Sequence, residues 1–73
     1  MKDKAMVSPE EIVKKYRISY QTVNNYTNLG LLVVRRRKGN GRLYRHNEVK
    51  QRLEKIARLK NRGYPLRLIR TML

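Results

Sequence analysis

The sequence predicts a mainly α-helical fold, with about four short helices and one small two-stranded β ribbon. Three observations carry this expectation. Apolar residues recur at helical spacing in separate stretches that are bounded by capping and breaking residues. An apolar run, Leu31-Leu32-Val33-Val34, leads into Arg35–Arg45, whose centre is the turn signal Gly39-Asn40-Gly41. The chain has 73 residues and no cysteine. It is one domain at most, with a small core and neither disulfides nor thiolate metal sites to support it.

Residues 1–6, MKDKAM, are polar and charged and are expected to form a flexible N-terminus ahead of a folded domain over 7–73. Ser8-Pro9-Glu10-Glu11 reads as a helix start. Ser8 is the N-cap, Pro9 fits the first helical position and Glu11 lies three residues after the cap. Both acids favour the positive end of that helix. It is expected to run to about Tyr16, with Ile12, Val13 and Tyr16 facing the core.

Arg17-Ile18 is a tight connection, and Ser19 caps a second helix that continues to Leu29. Ile18, Val23, Tyr26 and Leu29 face inward at near-helical spacing, and Gly30 closes the helix. Its Asn, Thr and Tyr residues are poor helix formers but rich in donors and acceptors, which points to a surface used for contact. Leu31–Val34 reads as a strand, Arg35–Gly41 as a loop and Arg42–Arg45 as the return strand. In the return strand either Leu43 faces inward with Arg42 and Tyr44 outward, or the reverse.

Asn47 is the expected cap of a third helix over about residues 48–62, with Val49, Leu53, Ile56 and Leu59 as its apolar stripe. Gly63 stops it. Pro65 opens a fourth segment in which Leu66, Ile69 and Leu73 share a face, with Leu68 and Met72 partly off it.

Charge narrows the partners. The net charge is +14, from 19 Lys+Arg against 5 Asp+Glu. Such an excess costs stability through self-repulsion and points to a polyanion. No acid lies between Glu11 and Glu48, and six of the basic residues fall within Arg35–Arg45. A solubilising surface would mix the two signs. No apolar run approaches the roughly 20 residues of a membrane span, and the start lacks a signal-peptide core. The expectation is a cytoplasmic, nucleoid-associated protein without a membrane role. A lone His46 and no paired carboxylates give no enzymatic signal, and no cofactor or metal is implied.

Two short helices joined by a tight turn and followed by a basic hairpin make a winged helix-turn-helix. Its second helix suits the major groove of double-stranded DNA, where Gln and Asn amides pair with adenine. Tyr20, Gln21, Thr22, Asn24, Asn25 and Tyr26 are the candidate contacts on that helix. On the wing, Arg36 and Arg42 are the first choices for phosphates, supported by Arg35, Arg37, Lys38, Asn40 and Tyr44.

The segments IVKKYRISYQTVNNYTNLGLL, RRRKGNGRLYRHNEV and RLEKIARLKNRGYPLRLIRTML resemble the DNA-binding domain of MerR-family transcription regulators. The resemblance spans about residues 7–73. Tyr26 and Gly30-Leu31-Leu32 match the family's recognition-helix end. Arg36, Gly39-Asn40-Gly41 and Arg42-Leu43-Tyr44 match its wing, and Gly63-Tyr64 its later helical junction. The resemblance implies a bacterial regulator that binds pseudo-palindromic promoter sites as a dimer. Departures are clear. Two Arg positions of the family's recognition helix are Gln21 and Asn24 here, a neighbouring Tyr is Asn25, the following acid is Thr27, and a wing Pro is Val34. Base preference therefore does not carry over. Family members continue into a long dimerising helix and an effector domain, so the resemblance implies a homodimer formed through sequence beyond Leu73, or else a small stand-alone factor.

The leading expectation is sequence-specific duplex binding for transcription regulation. The alternative is a small architectural DNA-binding factor such as a phage-type excisionase. RNA binding is disfavoured because the short wing offers little aromatic area for stacking. A membrane-surface role is disfavoured because the third helix needs its apolar stripe for the core.

Overall fold

The computed structural model describes residues 5–73. Four helices and a three-stranded antiparallel sheet follow in the order β1 (Met6–Val7), α1 (Pro9–Tyr16), α2 (Tyr20–Asn28), β2 (Val34–Lys38), β3 (Gly41–Arg45), α3 (His46–Asn61) and α4 (Leu66–Met72). This is the mainly helical, winged helix-turn-helix architecture that the sequence predicts. Among the described residues no helix is long and apolar enough to cross a membrane.

The first helix begins as its sequence dictates. The Glu11 amide donates to Ser8 Oγ at 3.2 Å and the Ser8 amide donates to Glu11 Oε1 at 2.8 Å, a complete capping box. Arg17 ends α1 in the left-handed region, at φ 56°, and turns the chain toward α2. Ser19 caps α2 by accepting from the Thr22 amide at 2.9 Å.

Leu31 and Leu32 depart from the expected strand. Their amides both donate to the Tyr26 carbonyl, at 2.8 and 3.2 Å, and fold the chain back on the end of α2. Amides engaged there cannot serve a ladder, and both side chains are buried instead of alternating. The strand therefore starts at Val34, and Arg35, Arg36, Arg37 and Lys38 lie on β2 and not in a loop. The turn is only Gly39-Asn40, between the paired residues Lys38 and Gly41. Gly39 has φ 59° while Asn40 stays out of the left-handed region, the pattern of a type II′ hairpin turn.

The wing is two-stranded, as expected, but the sheet is not. β3 is its central strand, with β2 on one side and the short β1 on the other. Met6 pairs with Arg45 and Val7 with Tyr44. The flexible tail expected over 1–6 thus meets a strand at Met6, and residues 1–4 lie outside the described residues.

β3 passes directly into α3. Arg45 stands at the N-cap without a side-chain cap bond, and Asn47, the expected cap, lies inside the first turn. The core gathers Ile12 of α1, Val23 and Tyr26 of α2, Leu31, Leu32, Tyr44 of β3, Val49, Ile56 and Leu59 of α3, and Ile69 of α4. Leu66, Met72 and Leu73 pack against it, while Leu68 remains exposed. No side chain of the core carries a charge, so apolar burial at about 25 cal/mol per Å² is its main support.

Candidate nucleic-acid interface

Eight of the nine residues of α2 fall into three stripes, and Thr22 stands apart in the first turn. Val23 and Tyr26 are buried in the core. Tyr20, Asn24 and Thr27, at i, i+4 and i+7, face β3. Gln21, Asn25 and Asn28, at the same spacing one residue on, are exposed. The outer stripe lines a shallow depression together with Ser19, Thr22 and Asn24. Asn28 was not among the sequence candidates. Its signal was available, as the residue seven beyond Gln21.

One candidate on this helix falls away as a direct contact. Tyr26 is 8% exposed, because it sits one turn from Val23 on the core face. Thr22 serves the cap, with its Oγ1 2.8 Å from Ser19 Oγ. Tyr20, 47% exposed, stays on the surface beside the wing.

Tyr44 is a clear correction. It is 0% exposed. Its register partners Val34 and Val7 share its face, so the ring enters the core. The Thr27 hydroxyl donates to the Val23 carbonyl at 2.7 Å and lies 2.7 Å from Tyr44 Oη. With its single proton spent on Val23, Thr27 accepts from Tyr44. The alternation left open for β3 thus resolves with Tyr44 inward.

Arg42 lies on that same face, at its outer end. Its Nη2 donates to Asn24 Oδ1 at 2.6 Å and reaches Tyr20 Oη at 3.5 Å. Its guanidinium carbon stands 5.8 Å from the centre of the Tyr44 ring, within cation–π range. One arginine therefore ties the wing to α2.

Arg37 pairs directly across from Arg42, and Arg36 across from Leu43. Cross-strand partners share a face. Arg36 and Arg42, the two first choices from sequence, thus lie on opposite faces of the ribbon, and Arg37 shares the α2 side with Arg42. Arg36, Arg37, Lys38 and Asn40 are all exposed.

Arg35 differs from its neighbours. The register shifts between Val34 and Arg36, so Arg35 is the extra residue of a β-bulge. Its Nε and Nη2 donate to Glu48 Oε1 and Oε2 at 2.9 and 2.6 Å. The Arg35 guanidinium holds the Glu48 carboxyl below its ordinary value of 4.5, with weaker help from Arg52 and Arg45. It is the one ion pair among the described residues.

Beyond the wing, Tyr16 Oη lies 3.2 Å from His46 Nε2. Burial, with Glu54 adding, pushes the Tyr16 phenol above its ordinary value of 10.0, so it is protonated near neutral pH and can donate. His46 is thereby a packing partner between α1 and α3.

Searches among curated proteins and among solved structures returned no match. A model of the MerR HTH family of regulatory proteins matches residues 7–73, which include both helices of the helix-turn-helix, the whole hairpin and the two later helices. The exposed amide stripe, the cationic ribbon tied beside it and this family match agree, and the chain belongs to the MerR HTH family of DNA-binding transcription regulators.

Proposed function

We propose that the protein binds double-stranded DNA sequence-specifically, with α2 in the major groove and the wing on flanking phosphates. The supporting observation is the 2.6 Å bond from Arg42 to Asn24. It holds a ribbon carrying Arg36, Arg37 and Lys38 beside a helix that exposes Gln21, Asn25 and Asn28. The amides offer a donor and an acceptor each, suited to the edge of adenine. The cations supply sequence-independent affinity and register. No acid stands in the first turn of α2, so its positive end is free to meet phosphate.

Selection from a random duplex pool followed by NMR titration tests this reading. The expected result is an enriched consensus, with shifts confined to α2 and the hairpin. A pool that stays random, or shifts that fall on α3 and α4 while α2 is silent, removes it.

A further inference from the structure

Arg35 is held in a way that no other wing cation is. The bulge leaves it without a cross-strand partner and turns it toward α3. There Glu48, in the first turn of α3, receives it through two parallel bonds of 2.9 and 2.6 Å. A fork of two N–H groups onto two oxygens is also how a guanidinium grips a phosphate. Glu48 is the first acid in the chain after Glu11, and it stands at the root of the cationic ribbon. Its carboxylate occupies, within the molecule, the position a phosphate would take on that arginine.

We propose that Glu48 is an intramolecular competitor of phosphate: by holding Arg35 it keeps one wing guanidinium off the duplex and limits the sequence-independent part of DNA affinity. This inference rests on the duplex-binding reading above. In a chain of net charge +14, each further phosphate contact strengthens binding to every duplex alike. A positioning residue that withholds one cation leaves more of the binding to the amide stripe of α2.

The test is the salt dependence of binding to a random-sequence duplex and to a selected one. It uses the full chain as wild type, Arg35→Gln, Glu48→Gln and the double variant. Glu48→Gln is expected to steepen the log–log slope by about 0.9 on both duplexes, the value of one added contact. Arg35→Gln keeps the wild-type slope, and the double variant returns to it. An unchanged slope in Glu48→Gln overturns the proposal. So does weaker binding, which makes the pair a strut for the wing. A steeper slope that persists in the double variant also overturns it, since loss of any negative charge then explains the gain. The pair is partly exposed and adds little to stability, so these variants are expected to fold. Should Glu48→Gln unfold, Arg35→Gln alone decides: a slope flattened by about 0.9 means that Arg35 already grips phosphate, and the proposal fails. A wild type with no salt-dependent duplex binding at all removes the proposed function itself, a result distinct from any of these.

Discussion

Arg42 Nη2 donates to Asn24 Oδ1 at 2.6 Å, so the second strand of the wing is hydrogen-bonded to the helix it flanks. The contact makes Asn24 part of the mounting. Its oxygen is committed to the wing, whereas Gln21, Asn25 and Asn28 keep both halves of their amides toward solvent. Asn24→Ala is expected to weaken binding to selected and random duplexes alike, by about 1 kcal/mol, because it loosens Arg42 without removing a base contact. Gln21→Ala, Asn25→Ala and Asn28→Ala are expected to change the consensus at single positions, each worth about 1–3 kcal/mol. Selection with each variant separates the two classes. An altered consensus for Asn24→Ala, with the other three unchanged, would reverse the assignment.

Arg37 faces Arg42 across the hairpin, a like-charge pair in the free protein. Like charges directly opposite destabilise a ladder by a few tenths of a kcal/mol. A bound phosphate relieves the repulsion and gains a contact. Arg37→Ala is therefore expected to raise the melting temperature slightly while flattening the salt slope by about 0.9. Arg36→Ala flattens the slope similarly, but its cross-strand partner is Leu43, so it brings no stability gain. Calorimetry beside salt-dependent binding checks both. A lowered Tm in Arg37→Ala would show that its side chain packs, and does not merely repel.

Much of this arrangement was legible in the sequence for local reasons. Ser8 and Glu11 are three residues apart, and that spacing alone specifies the capping box that forms. Gly39-Asn40-Gly41 marks where the ribbon reverses, although the seven-residue loop read there shrinks to the two residues between Lys38 and Gly41. What was not legible depends on contacts across long separations. Leu31 and Leu32 look like a strand until the Tyr26 carbonyl takes both their amides. Arg42-Leu43-Tyr44 fits either face, and only the pairing of Tyr44 with Val34 and Val7 decides between them. Arg35 reads like any wing cation, because a bulge and a glutamate thirteen residues on leave no local mark. A two-residue strand at Met6 has no signal of its own; β3 supplies the template.

Acid is expected to weaken the Arg35–Glu48 pair in a defined direction. Arg35 holds the Glu48 carboxyl below 4.5, its ordinary value. A carboxyl depressed in the folded state stabilises the fold above its unfolded value, and this is lost as pH falls through the depressed one. Wild type is thus expected to melt above Glu48→Gln near neutral pH, with the gap closing as pH drops below about 4.5. Parallel thermal melts of the two proteins across that range measure it. A gap independent of pH would mean that Glu48 contributes through packing or helix capping and not through its charge.

Tyr44 carries the sharpest division between fold and function. Its hydroxyl, 2.7 Å from Thr27 Oγ1, is the donor, since the Thr27 proton goes to the Val23 carbonyl. Tyr44→Phe keeps the ring in the core and removes one hydrogen bond, at a cost of about 1 kcal/mol. Thr27→Val removes the acceptor and strands a buried hydroxyl, which costs more, about 1–3 kcal/mol. Combining the two removes both partners, so the double variant is expected to be more stable than Thr27→Val alone. None of the three is expected to change the salt slope of DNA binding, because the ring is fully buried, with Arg42 over it, and offers no surface to a phosphate. Denaturant unfolding and duplex titration of the same samples decide the matter. If Tyr44→Phe unfolds like wild type yet loses DNA, the hydroxyl belongs to the interface after all, and its burial between β3 and α2 is not its working state.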